Sequence, residues 1–207
     1  MSATHTANGA PDATLLDGSL VCLRRVTPAD ESRLREFFAA LDPRSQAFRF
    51  FCGGVDLSRT AHEMARADHG RRYGLLASRR PGGPVLGHGL YVALGDGRAE
   101  VAFAVAHELQ GHGLGTILLE DLAAVAADSG IDTFTAEVLP ENHQMLEVFC
   151  ESGFVVQSEE KDGTVHVQMP TRKDVGPRQI AEDPQRPGAT SSAEQWRASR
   201  HQTSIRR

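Results

Sequence analysis

Ala99 to Gly130 reads AEVAFAVA-HELQGHGLGT-ILLEDLAAVAADSG, and its three parts are a strand, a glycine-rich turn and a helix in direct succession. Side chains alternate along a strand, so Ala99–Ala106 places Val101, Phe103 and Val105 on one face. Glu100, Ala102, Ala104 and Ala106 fall on the other. The spacing of Leu114, Ile117, Leu118, Leu122 and Val125 predicts a helix that starts near Gly113. Gly130 is placed to end it, because glycine enters the left-handed conformation without steric cost.

The turn, Gln110-Gly111-His112-Gly113-Leu114-Gly115-Thr116, opens the helix. The first amides of a helix have no partner within it, and the helix dipole is positive at that end. Glycines there serve either close packing or the approach of a phosphate to the backbone. The spacing is G-x-G-x-G, one residue short of the dinucleotide fingerprint, and there is no lysine for a P-loop.

The stretch resembles the acyl-CoA signature of the GNAT acetyltransferase family, [Gln/Arg]-x-x-Gly-x-[Gly/Ala], with Gln110, Gly113 and Gly115 at its defined positions. The resemblance implies acetyl-CoA as co-substrate. It assigns Gly111, His112, Gly113, Leu114, Gly115 and Thr116 to a loop holding the pyrophosphate. It assigns backbone amides near Val105 and Ala106 to the thioester carbonyl.

Before this stretch, Ser19–Val26 is a predicted strand. Thr27-Pro28-Ala29-Asp30 starts a helix with Thr27 as N-cap and Leu34, Phe37, Phe38 and Leu41 on its apolar face. Asp42-Pro43 stops it. Ser45–Phe51 (SQAFRFF) is read as a short helical turn or loop with core aromatics, and Ser58–Asp68 as a helix with an N-cap serine. Tyr73–Ser78 and Val85–Leu94 are paired strands, the second with two glycines that point to irregularity. After the long helix come a strand at Thr133–Leu139, a helix capped by Asn142 and ended by Gly153, and a hairpin of Phe154–Gln157 with Thr164–Gln168. This order matches the GNAT layout over Ser19–Pro170: an α/β (α+β) fold with a mixed twisted sheet of about seven strands and about four helices. Asn142 to Gly153-Phe154 resembles a second GNAT landmark, whose asparagine and helix approach the CoA arm. Asn142 and Phe149 are assigned to it.

The flanks read differently. Residues 1–18 are small, polar and aperiodic, and 171–207 are rich in proline, Ser/Thr and charge, so both are expected to be disordered. The tail from Thr171 has eight basic and four acidic residues, so the −5 of the whole chain divides into +4 there and −9 elsewhere. An acidic body argues against nucleic acid as a partner and favours a cationic acceptor. No apolar run reaches the ~18–20 residues that span a bilayer. The N-terminus lacks the pattern of a signal peptide, so a cytoplasmic location and no membrane partner are expected. Cys22, Cys52 and Cys150 have no paired spacing, and the nine histidines show no metal pattern, so no metal site is predicted. A monomer or a homodimer is expected.

Acetyl transfer to an amine needs a base, because only about one lysine in 10³ is neutral at pH 7. Glu100 is the one ionisable residue in a strand of Ala, Val and Phe, flanked on its face by alanines, and is the leading candidate; Glu137 is its rival. Many GNATs carry a tyrosine in the last helix to protonate the leaving thiolate. Phe149 stands there and cannot. AEVAFAVAHELQGHGLG, AEVLPENHQML and SQAFRFF resemble bacterial Pat-type protein lysine acetyltransferases. That resemblance implies a glutamate base at Glu100 and a protein lysine acceptor, including lysines of acyl-CoA synthetases. A small-molecule amine acetyltransferase and a catalytically silent CoA-binding regulator are the alternatives.

Overall fold

The computed structural model describes residues 13–51, 54–66 and 71–173. Cys52, the end of the helix expected to reach Asp68, and the segments 1–12 and 174–207 lie outside the described residues.

Eight strands form one sheet: β1 (Ala13–Thr14), β2 (Leu20–Arg25), β3 (Arg72–Ser78), β4 (Gly87–Gly95), β5 (Arg98–Val105), β6 (Thr133–Val138), β7 (Gln157–Lys161) and β8 (Thr164–Pro170). Their spatial order is β1-β2-β3-β4-β5-β6-β8-β7, and only the β5–β6 pair is parallel. Five α-helices accompany them: α1 (Glu31–Ala40), α2 (Pro43–Phe50), α3 (Leu57–Ala65), α4 (Leu114–Asp128) and α5 (His143–Glu151).

The extra strand and helix come from two stretches where the sequence offers little periodicity. Residues 13–18, expected with the disordered N-terminus, are held instead. Ala13 pairs with Val21, and Leu15 is buried in the main core. At the other junction, Asp42-Pro43 ends α1 and also begins α2. The Asp42 carboxylate accepts from the amides of Arg44 and Ser45, and Pro43 sits at the first helical position, where its missing N–H costs nothing. The N-cap of α3 is Asp56, not Ser58: its side chain accepts from the Ser58 and Arg59 amides. The serine hydroxyl is displaced because a carboxylate two residues earlier takes both orphan donors.

The sheet separates two cores. On one face α4 and α5 pack Leu114, Leu118, Leu122, Leu146 and Phe149 against Val101, Phe103 and Phe134. On the other, α1 and α3 pack Leu34, Phe37, Phe38 and Ala61 against Leu76 and Ala104. The two glycines of β4 hold regular register, and the irregularity falls at Ala93/Gly95. Their role is packing. A Cβ at Gly89 would lie 2.8 Å from Leu122 Cδ1, and one at Gly87 would lie 3.1 Å from Leu114 and Leu118, so α4 can rest directly on the strand.

Helix α4 ends as the sequence predicts. The Ile131 amide reaches the Ala126 carbonyl and the Gly130 amide the Ala127 carbonyl, with Gly130 at φ 79°. The last hairpin is shifted from its expected place. Its first strand is Gln157–Lys161, fully exposed, and Asp162-Gly163 form the two-residue turn with both φ positive. Acids and amides line that strand, so hydrophobicity alone directed the reading to the apolar run before it. Pro170 does not end the ordered chain either: the buried Thr171 hydroxyl donates to the Ile131 carbonyl at 2.6 Å.

Candidate active site

The sheet forks between β5 and β6. Their ladder has three rungs, Arg98↔Thr133, Ala99↔Phe134 and Glu100↔Thr135, and stops. Beyond Glu100, β5 stays with β4 as far as Val105↔Gly87, while β6 stays with β8 as far as Val138↔Val165. The Phe103 and Phe149 rings, 5.8 Å apart, fill the fork on the α4/α5 side.

A cleft of about 250 Å³ opens at the wide end. Its walls are α2 (Ser45, Phe48, Arg49), the end of β5, the glycine turn and α5. A recess of about 30 Å³ continues down the fork between Val101–Phe103 and Ala136–Val138, with Phe149 at its base.

Backbone polarity in the fork follows from the β4 pairing. The Ala106 amide donates to the Leu86 carbonyl at 2.8 Å. Antiparallel pairing alternates, so Ala104 and Ala106 address β4, whereas Phe103 and Val105 turn their polar groups to the side that β6 has left. This corrects the expectation for Ala106, whose amide is committed to the sheet. Val105 remains on the cleft side.

At the mouth, a short 3-10 turn (His107–Leu109) leads into the glycine turn. Gly113 is the N-cap of α4 at φ 86°, a conformation costly for any residue with a Cβ. The first intrahelical bond runs from Ile117 to the Gly113 carbonyl, so the amides of Gly113, Leu114, Gly115 and Thr116 lie ahead of it. Gly111, Gly113, Gly115 and Thr116 line the cleft. Two assigned side chains point elsewhere. Leu114 is fully buried against β4, and His112 lies outside the lining, with Nδ1 2.9 Å from the Gln110 carbonyl and Nε2 3.9 Å from Asp17. Each offers the turn only its backbone.

Gln110 acts as a brace. Its side-chain amide donates to the Val105 carbonyl and to Ser45 Oγ, both at 3.3 Å, tying the end of β5 to α2. Asn142 caps α5 by accepting from the Met145 amide at 3.3 Å and lines both the cleft and the recess. Phe149 is a recess wall, 2% exposed. Cys150 is exposed and lines neither cavity.

Glu100 stands at the crotch of the fork, exposed, on the face away from α4. It lines neither cavity; its neighbours Val101 and Ala102 line the recess. Glu137 does line the recess, and its Oε1 lies 3.7 Å from His166 Nδ1. Arg49 was hidden in the SQAFRFF stretch. It lines both cavities, and its Nε is buried without a hydrogen-bond partner. Burial pushes its guanidinium down to about 10, partly offset by the charge of Glu100. Leu16 was also missed, because it lies in a segment read as disordered. No local signal in the sequence brings either residue to this cleft. Among the described residues, no group of three or more His, Cys, Asp or Glu side chains is gathered as a metal site would need. No described helix is long and apolar enough to cross a membrane.

The model of the acetyltransferase (GNAT) family matches residues 34–154, more than half of the chain. The chain belongs to the GNAT acetyltransferase family. This GNAT acetyltransferase is 33% identical to the GNAT domain of S. lividans PAT, with a TM-score of 0.70 over 78% of this chain and 96% of that one. It is 28% identical to the acetyltransferase PA5475 of Pseudomonas aeruginosa, over 73% of this chain and 83% of that protein. YncA of Salmonella typhimurium, solved with its cofactor acetyl-CoA, shares the fold at 19% identity and a TM-score of 0.58, over 76% of this chain and 97% of that one.

Proposed function

We propose that this GNAT acetyltransferase moves an acetyl group from acetyl-CoA to the side-chain amine of a protein lysine. The observation that carries the reading is the fork itself: a cleft between two diverging strands with the free amides of Gly113–Thr116 at its mouth. The turn binds the pyrophosphate through those amides and the positive end of α4. The pantetheine arm runs down the fork, where Phe103 and Val105 offer backbone hydrogen bonds. The recess is small, about 30 Å³, and suits a short acyl end such as acetyl.

The acceptor enters from the opposite face. There the register puts Glu100, Thr135, Gln168 and Gln157 in one row across four strands. Glu100, Gln168 and Gln157 are exposed, so this half of the sheet is an open surface rather than a closed pocket. An open surface suits a lysine carried on a protein, and likeness to the S. lividans PAT domain supports the same reading.

In the transfer, the amine nitrogen bonds to the thioester carbonyl carbon, the C–S bond breaks, and the amine proton goes to a carboxylate. Glu100 is the proposed base, at the crotch where the amine must arrive. The backbone amides of Phe103 and Val105 stabilise the oxyanion. Phe149 has no proton to give, so the thiol sulfur takes its proton from water.

An acetylation assay with acetyl-CoA tests the reading, with a panel of small amines and a protein panel that includes an acyl-CoA synthetase. Acetyl-lysine on a protein at rates well above those on free amines is expected. Turnover of small amines alone would make the acceptor a small molecule, and CoA binding without turnover would make the chain a regulator.

A further inference from the structure

Two glycines of the phosphate turn are each roofed by an aliphatic side chain. A Cβ at Gly115 would lie 3.1 Å from Val148 Cγ2, and one at Gly113 would lie 3.2 Å from Leu16 Cγ. Both side chains line the cleft. Val148 lies on the inner side, since Phe103 Cε2 is 3.5 Å from the same Gly115 position. Leu16 lies at the outer lip and is 82% exposed, the most exposed of the large hydrophobic residues described.

This placement of Leu16 is built. Leu15 is anchored in the core, and its amide donates to the Ser19 carbonyl at 2.8 Å. The Leu16 amide donates to the His112 carbonyl at 3.0 Å, which fastens the segment to the turn itself. Asp17 Oδ1 accepts from the Ser19 amide at 2.9 Å and closes the loop. An aliphatic side chain fixed in water beside a phosphate-binding turn gains stabilisation when an apolar part of the ligand covers it.

We propose that Leu16 is a donor-binding residue that supports the adenosine end of the acyl-CoA, and that the enzyme therefore selects acyl-CoA over the same acyl group on a bare phosphopantetheine arm, such as that of an acyl carrier protein. The inference rests on the acetyl-CoA reading above. A pyrophosphate on the turn has two substituents. The pantetheine arm must enter the fork past Val148 and Phe103. The adenosine is left at the lip, where the apolar ring face of the base meets Leu16.

The test is calorimetric titration of wild type, Leu16→Ser and Val148→Ala with acetyl-CoA and with acetyl-4′-phosphopantetheine, which lacks the adenosine. Leu16→Ser removes an exposed side chain, so its melting temperature should match wild type. It should bind acetyl-CoA about five- to tenfold more weakly and acetyl-4′-phosphopantetheine almost unchanged. Val148→Ala should weaken both by the same factor. Unchanged acetyl-CoA affinity in Leu16→Ser, or equal loss for both donors, overturns the assignment. Failure of the wild type to bind either donor would instead overturn the acetyl-CoA reading.

Discussion

Glu100 on β5 faces Thr135 on β6 at the last rung of the parallel ladder, and the strands part immediately beyond it. The carboxylate thus sits on the exposed strand face at the point of divergence, while the cleft lies beyond it among α2, the end of β5, the glycine turn and α5.

Gly113 and Gly115 should fail for different reasons when replaced. At Gly113 the backbone is left-handed, so alanine strains the N-cap and crowds Leu16. At Gly115 the backbone is helical, and leucine collides with Val148. Each change should weaken acetyl-CoA binding by at least about tenfold, or 1.4 kcal/mol. Titration of folded variants checks this; full affinity in both would show that the turn does not hold the pyrophosphate.

Asp30 should hold the first helix to the sheet. It is buried and accepts from Arg24, Arg33 and the Thr27 amide. Burial alone would raise its carboxyl, but the hydrogen bonds from Arg24 and Thr27 outweigh this and hold it far below the usual carboxylate range. Asp30→Ala takes the carboxylate from two arginines, leaving Arg24 with the Arg25 carbonyl and Arg33 with the Gly83 carbonyl, and should cost about 3 kcal/mol in denaturant unfolding at pH 7. The folded group stays ionised where the unfolded one has begun to protonate. The carboxylate's contribution is therefore complete above about pH 4 and lost as the pH falls below it. A cost that persists undiminished at pH 2 would contradict this.

His88 should make the fold acid-sensitive in a higher window. Both ring nitrogens are buried without partners, and the ring meets the Phe38 ring edge-on at 5.5 Å. Burial, and then the charge of Arg49, push its pKa from 6.5 down to about 3. Between these values the unfolded chain binds a proton that the folded one does not, so stability rises with pH there, by up to about 1.4 kcal/mol per unit. His88→Leu should flatten that rise and should be at least as stable as wild type at pH 7, because no orphaned polar atom remains. Denaturant midpoints from pH 4.5 to 7 decide it; an unchanged slope would show that the ring takes up its proton equally in the folded and unfolded chain.

The chain has two lysines. Lys161 is exposed beside the Asp162-Gly163 turn, while Lys173 Nζ donates to Glu120 Oε1 at 2.6 Å and lies 4.9 Å from the centre of the Phe154 ring. Self-acetylation on long incubation should therefore favour Lys161. Peptide mapping that finds Lys173 labelled first would mean that the ion pair gives no protection.

The glycine turn, the long helix and the apolar faces of α1 and α4 were legible because each rests on local chemistry, whereas the aromatics of Ser45–Phe51, expected in the core, lie on α2, which buries none of its residues, and beyond it at the exposed Phe51. Side-chain periods name the faces of β5 and α4, and Gly113 and Gly130 mark the ends of the helix. What was illegible depends on distant contacts. Leu16 and Arg49 reach the cleft through the β1–β2 pairing and through the lie of α2, neither of which has a period to read. Ala106 was misassigned because which amides face the fork depends on the β4 pairing phase, fixed by the Leu86 carbonyl rather than by residue type. Asp56 displaced Ser58 as a cap because two good caps stood two residues apart, and nothing in their identities ranks them.

The proposed base is the carboxylate at the crotch of the fork, although Glu137 and not Glu100 lines the recess. The most direct measurement is the pH–rate profile of Glu100→Gln and Glu137→Gln at saturating acetyl-CoA. Glu100→Gln should lose about 10²–10⁴ in kcat near neutral pH and recover as the pH rises toward ~10, where the acceptor amine loses its own proton. Glu137→Gln should lose far less. Near-wild-type kcat in Glu100→Gln with an inactive Glu137→Gln would move the base to Glu137 on β6.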